Sequence, residues 1–281
     1  MTRLDVRKTH KLYINGEFPR SESGRTFPAH DGEGHVIARM AEGSRKDLRD
    51  AVRAARNAQE SWAARSGYNR GQILYRVAEM MEDRTEAFQD DMRAVGASKR
   101  AAQREVEASI DRLVWYAGWC DKFSQVYGNL NPVSGPFFNI SSPEPTGVVG
   151  IVAPTEPPLL GLVSRVAPAL VPGNTVVVIA SDRAPVVAVT FAEALATSDV
   201  PPGVVNLLTG HAVELTPWLA SHMDVNAIDL TGAPEDILGA AESAAADNVK
   251  RVVRSLTPDS QSPLLIAAFT ETKTVWHPKG L

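Results

Sequence analysis

The 281-residue sequence contains a single cysteine, so no disulfide can form within the chain. A framework of that kind suits a reducing, cytoplasmic setting. No stretch approaches the ~18 consecutive apolar residues of a membrane span, and the amino-terminal MTRLDVRKTHKLYI lacks the apolar core of a secretory signal. Excess positive charge is also missing. The net charge is −4 and the pI near 5.9, which argues against non-specific nucleic-acid binding. The six histidines are scattered, with no spacing that reads as a metal site. Internal repeats and low-complexity linkers are absent. So is a G-x-G-x-x-G turn, the usual dinucleotide fingerprint.

What the sequence does contain is ordered. LYINGEF reads as a strand pair hinged on Asn15-Gly16, the dipeptide that a type I′ turn favours. GHVIARMAEG is a further extended piece. The period then becomes helical: Ser44 stands as an N-cap before a segment whose Leu48, Val52, Ala55 and Ala58 share one face. Two more helical patterns follow, through QILYRVAEMMEDRTEAFQDDMRAVG and KRAAQREVEASIDRLVWYAGWCDKFSQ. Cys120 lies in the second and reads as a packing thiol, and Trp115, Tyr116 and Trp119 recur there at core spacing. LNPVSGPFFNISSPEPTG is rich in turn formers around a short strand at 137–140, an excursion from the compact body.

From Gly147 onward strands alternate with helices. Expected strands are Val148–Val152, Thr175–Ile179, Val204–Leu208, Ala227–Leu230, Arg251–Ser255 and Leu264–Ala267. Short apolar strands of this type are buried on both faces, as in a doubly wound, mostly parallel sheet. The second half is also the more acidic, with 7 Lys/Arg against 13 Asp/Glu in residues 151–281. Ligands in such folds bind at the carboxyl ends of the strands. Glu156, in IVAPTEPPLL, therefore stands where chemistry is expected, while the plainer reading is that it caps the following helix or faces water.

The ordered segments LYINGEF, AEG before a long helix, PTGVVGIVAP, APAL-(2)-GNTVVV, PPGVVNLLTG, LASHMDV and DLTGAPE resemble the aldehyde dehydrogenase superfamily over essentially the whole chain. The resemblance implies an α/β fold: a Rossmann-type, doubly wound, mostly parallel sheet with an N-terminal helical region and a protruding oligomerisation hairpin. Its divisions here are residues 1–127, the hairpin and helical part of the nucleotide-binding domain; 128–146, the oligomerisation hairpin; and 147–281, the Rossmann-like part. The catalytic domain, which carries the family's nucleophilic cysteine, is expected beyond the sixth strand, and the sequence stops at VWHPKGL before it.

At the positions where the family does its chemistry the residues differ. The family's Pro-Trp-Asn, whose amide stabilises an oxyanion, is matched by Pro154-Thr155-Glu156. A carboxylate there would oppose a term normally worth about 3 kcal/mol. The Lys-Pro-Ser-Glu that holds the adenosine ribose is matched by Ile179-Ala180-Ser181-Asp182, and glycines beside the adenine by Ala212 and Thr216. The pyrophosphate turn keeps Thr231 and Gly232 but has Ala233 and Ile237; the general-base motif becomes Thr257-Pro258-Asp259-Ser260-Gln261.

The expectation is a protein catalytically inactive alone, with no catalytic residues and no metal, acting as structural or regulatory partner of a full-length aldehyde dehydrogenase or of itself. The hairpin 128–146 and an exposed apolar Rossmann face would mediate contact. The alternative is the NAD(P)-binding half of a split aldehyde oxidoreductase, or a nucleotide-sensing subunit. NAD or NADP would then lie against Pro154, Thr155, Glu156, Ser181, Asp182, Thr231 and Gly232.

Overall fold

The computed structural model describes residues 8–280. Strands β1 (Thr9–His10), β2 (Thr26–His30) and β3 (Val36–Ala41) form a small sheet in the order β1-β3-β2. Between β1 and β2, Asn15 and Gly16 both take positive φ, 55° and 77°, while Ile14 and Glu17 exchange both backbone hydrogen bonds. That is the I′ turn the dipeptide favours. The expected strand pair shrinks to this single bridge because Tyr13 instead exchanges backbone hydrogen bonds with Leu207, at 2.9 and 2.7 Å. The segment thereby covers an edge of the main sheet that would otherwise stay open.

Helix α1 (Arg45–Ala63) begins with a complete capping box: the Ser44 hydroxyl accepts from the Asp47 amide, and Asp47 accepts from the Ser44 amide. Asp47 is buried and also accepts from the Glu22 amide (3.1 Å) and the Ser21 hydroxyl (2.8 Å), which ties the 21–24 turn to the helix end. The long helical pattern that follows breaks at Asp83-Arg84 into α2 (Gly67–Glu82) and α3 (Thr85–Ala94). Next come α4 (Lys99–Ala117), capped by Ser98, and the short α5 (Phe123–Tyr127).

A hairpin of β4 (Asn129–Asn131) and β5 (Phe137–Pro145) leads into the alternating half. In order this half comprises β6 (Val148–Val152), α6 (Pro158–Leu170), β7 (Thr175–Ile179), α7 (Pro185–Ala196), β8 (Val205–Leu208), α8 (Ala212–Ser221), β9 (Ala227–Asp229), α9 (Glu235–Ala246) and β10 (Arg251–Val253). The five strands are all parallel in the order β10-β9-β6-β7-β8. β6 and β7 are buried at every residue, as an apolar run between two helical layers must be. On one face, α1, α8 and α9 pack on Val148, Val152, Val177 and Ile179. On the other, α6 and α7 cover the sheet, and α2, α3 and α4 lie against them. Asn174, fully buried below the sheet, accepts from the Gly147 amide and donates to the carbonyls of Ala169 and Phe269.

The sixth expected strand, Leu264–Ala267, is instead a short helix, α10 (Pro263–Ala267). Ser262 accepts from the Leu264 amide and Pro263 occupies the first turn, a start signal that outweighs the apolar run. The chain then leaves the Rossmann part as β11 (Thr270–Pro278), which pairs antiparallel with β5 from Thr270 opposite Pro145 to Pro278 opposite Phe137. The excursion at 128–146 is therefore part of a three-stranded sheet, β11-β5-β4, with β5 in the middle.

Removing the Asp47 carboxylate leaves several partners of the α1 cap unmatched. Asp47→Ala should cost about 2 kcal/mol in urea unfolding, and Asp47→Asn, which keeps one acceptor oxygen, about half of that.

Candidate functional site

The order β10-β9-β6-β7-β8 places the switch in winding between β6 and β9, the position at whose carboxyl end folds of this kind have their ligand crevice. Pro154, Thr155 and Glu156 follow β6, Ser181 and Asp182 follow β7, and Thr231 and Gly232 follow β9. All seven residues anticipated from the sequence thus lie along one end of the sheet. Pro154 is buried, while Thr155, Glu156 and Asp182 face solvent. The Glu156 carboxylate lies 3.6 Å from the Arg183 guanidinium, both largely exposed, and Asp182 lies 3.7 Å from His211 Nδ1. The Ser181 hydroxyl accepts from the Arg183 amide.

Glu156 does not cap the helix that follows it. That role belongs to Glu105 of α4, whose Oε1 accepts from the amides of Leu159 (2.8 Å) and Leu160 (3.1 Å) at the start of α6. Burial pushes the Glu105 carboxyl above its ordinary value, although the two amides pull the other way. A carboxylate from a distant helix thus satisfies donors that α6, which begins Pro157-Pro158, cannot satisfy locally.

The turn after β9 is governed by the residue that ends the strand. Asp229 ends β9 and is fully buried. Its Oδ1 accepts from both the amide (2.9 Å) and the hydroxyl of Thr231. Its Oδ2 lies 3.6 Å from Arg165 Nη1, itself fully buried in α6. Desolvation holds the Asp229 carboxyl above the usual carboxylate range despite the nearby cation. The Thr231 hydroxyl also accepts from the Ser255 amide (3.1 Å), which fastens this turn to the end of β10. The Gly232 amide donates to the Val152 carbonyl and the Ala233 amide to that of Leu230, each at 3.0 Å. Gly232 is required by close approach, since a Cβ there would collide with the Ala153 carbonyl.

These bonds bear on any dinucleotide. A pyrophosphate is held by free amides at a helix N-terminus. Here the amides of Thr231, Gly232 and Ala233 all serve the protein, and the first turn of α9 carries Glu235 and Asp236. Those carboxylates suit the helix dipole and oppose a second anion. At the adenine end, Thr216 is fully buried within α8. The turn after β9 therefore fits a pyrophosphate poorly, whereas Ser181 and Asp182 remain accessible for a ribose.

The segment matching the general-base motif is bolted to the helices. Arg112 of α4 donates to the carbonyls of Asp259 (2.8 Å) and Ser260 (3.1 Å), to the Gln261 side-chain oxygen (2.9 Å), and to the Ser164 hydroxyl. Asp259 and Ser260 form a turn closed by the Ser260 amide on the Thr257 carbonyl, and Thr257 itself is exposed. Cys120 is elsewhere, buried between α4 and α5 with its thiol donating to the Tyr116 carbonyl. Burial pushes that thiol up to about 12.

Residues 20–275 match the aldehyde dehydrogenase family. The chain is 33% identical over 275 residues to cytosolic aldehyde dehydrogenase 1 of Elephantulus edwardii, covering 95% of this chain and 54% of that protein. Against retinal dehydrogenase 2 of Gallus gallus it is 35% identical over 272 residues, covering 94% and 51%. Among solved structures, the NAD+ complex of aldehyde dehydrogenase from Bacillus cereus superposes with a TM-score of 0.83 at 28% identity, over 88% of this chain and 50% of that one. HpcC from Thermus thermophilus does so with a TM-score of 0.83 at 30% identity, over 88% and 48%. The chain belongs to the aldehyde dehydrogenase family, and it spans about half the length of the relatives it matches.

Two outcomes follow from this geometry. Asp229→Ala strands the buried Arg165 cation and should cost about 3–5 kcal/mol; the double variant Asp229→Ala/Arg165→Met should lose clearly less than the sum of the single changes in urea unfolding. Cys120 should resist iodoacetamide at pH 8 in the native protein and alkylate fully once denatured, as read by intact mass.

Proposed function

We propose that this chain is an aldehyde dehydrogenase-like protein without catalytic activity of its own, acting as a structural or regulatory partner of a full-length aldehyde dehydrogenase. The observation that carries the reading is Cys120. Thiol catalysis of aldehyde oxidation needs an accessible thiolate, and the one cysteine of this sequence is a buried, protonated packing group remote from the crevice. Glu156 supports it, being an anion at the mouth where developing negative charge would need a donor. So do the occupied amides after β9.

The partner half of the proposal rests on surface. Leu256 is 94% exposed and Leu264 67%, both in the segment after β10, and Val252 of β10 is also exposed. On the β11-β5-β4 sheet, Leu130, Ile140 and Val275 stand opposite one another on one face, all exposed. Apolar groups gathered like this favour a protein partner, a second copy of the chain included. A cytoplasmic location belongs to the same reading. Among the described residues no helix is long and apolar enough to cross a membrane.

One observation favours the second reading, an NAD(P)-binding half of a split oxidoreductase or a nucleotide sensor. At the carboxyl end of β7, Asp182 is open to solvent and Ser181 half-exposed, in a fold shared with an NAD+ complex. Calorimetry separates the two. With NAD+ or NADP+ the isolated chain should give no saturable heat, and mixing with a full-length aldehyde dehydrogenase should give a complex that co-elutes on size exclusion. Micromolar nucleotide binding by the isolated chain would replace the partner reading with the second one.

A further inference from the structure

Away from the crevice, a cleft of about 530 Å³ separates the first turns of α1 from the carboxyl end of α8. Its walls include Arg45, Lys46 and Arg49, with the Glu22 carboxylate beside them, on one side and Trp218, Ser221 and His222 on the other. Three cations stand within the first five residues of α1. Helix electrostatics disfavours that placement, since the amino end of a helix already carries partial positive charge. Arg45 and Arg49, one turn apart, also repel each other. The cluster is the more pronounced for lying on a molecule whose net charge is negative.

Two of the three cations have acid partners and one does not. Glu22 pairs with Lys46 at 2.9 Å, and Asp50 is shared by Arg49 and Arg53, each at 3.2 Å. Arg45 has no carboxylate within ion-pair distance among the described residues. It lies instead over the Trp218 indole, 4.0 Å from the ring centroid, and Trp218 is 43% exposed. The helix-end amides play no part, because Ser44 and Asp47 already occupy that end. Opposite, His222 Nδ1 accepts from the Asp224 amide, so the proton of the neutral ring sits on Nε2 as a donor. The Ser221 hydroxyl donates to the Pro217 carbonyl and keeps its lone pairs.

We infer that this cleft binds a small phosphomonoester that carries a ring, with the phosphate between Arg45 and Arg49 and the ring against Trp218. Guanidinium groups match phosphate oxygens in paired hydrogen bonds. The indole offers a flat apolar wall beside them, and the volume is that of a small-molecule site. The inference is independent of the crevice and of the partner reading, because none of these residues adjoins the turns after β6, β7 or β9.

Phenyl phosphate and inorganic phosphate are the probes, titrated into the full chain by calorimetry. Phenyl phosphate should bind with a Kd of about 1 mM or tighter, and inorganic phosphate about tenfold more weakly. Arg45→Gln/Arg49→Gln, which keeps much of each side-chain stem, should weaken phenyl phosphate at least about tenfold. Trp218→Ala should bring phenyl phosphate down to the level of inorganic phosphate. Circular dichroism and a thermal melt of each variant establish that it is folded, and the single change Arg49→Gln serves if the double variant is not. Absence of saturable heat with phenyl phosphate, equal affinity for the two probes, or affinity unchanged in the folded arginine variants would overturn the assignment.

Discussion

A carboxylate with no access to water organises the working end of this sheet. Asp229 must find compensation inside the protein, because an isolated charge in a low-dielectric interior is too costly to keep. It finds Arg165 on one side and Thr231 on the other. Arg165 in turn lies beside Arg112, a second buried cation, and each lowers the tolerance of the other for a lost partner. Arg112 answers by gathering the carbonyls of Asp259 and Ser260. Strand β9, helices α4 and α6, the turn before α9 and the segment 257–262 are thus held by one connected set of charges and dipoles. Such networks are worth most when every member is satisfied.

The same set determines what the crevice offers. In a doubly wound sheet the loops at the switch point turn their amides outward to a ligand. Here the turn after β9 is drawn inward by Asp229, and the acidic first turn of α9 stands behind it. The fold of the family is retained while the donors at its pyrophosphate end are bonded within the protein. On the β7 side nothing comparable occurs, and Ser181 and Asp182 stay exposed or half-exposed.

Much of this could be read in the sequence, and the failures have physical causes. The capping box at Ser44, the I′ turn at Asn15-Gly16 and the five parallel strands depend on local propensity and period, which neighbouring residues declare. Leu264–Ala267 was open to misreading because a four-residue apolar run has no period of its own; Ser262-Pro263 was the better signal. Arg165 and Asp229 also left a trace. A lone arginine in LLGLVSRVAPAL and an aspartate ending an apolar strand each mark a charge that burial forces to find a partner. That they would find each other was not legible, since 64 positions separate them. Glu105 gave no trace at all, being one acid among several on a charged helix.

By itself the sequence determined most of the elements, the alternation of strands and helices from β6 to β10 and hence the layered architecture, because each rests on residues a few positions apart. It determined too that the single thiol would be buried, since Cys120 closes an apolar helical stripe. Only the tertiary structure decided which groups meet across the molecule. It seated β11 beside β5, put Glu105 under the start of α6 in place of Glu156, and brought Arg45 of α1 up to Trp218. It also turned Thr231 from a ligand's partner into Asp229's. For the buried groups among them, burial favours a partner for each polar group taken from water, and the match is chosen by proximity in the folded chain.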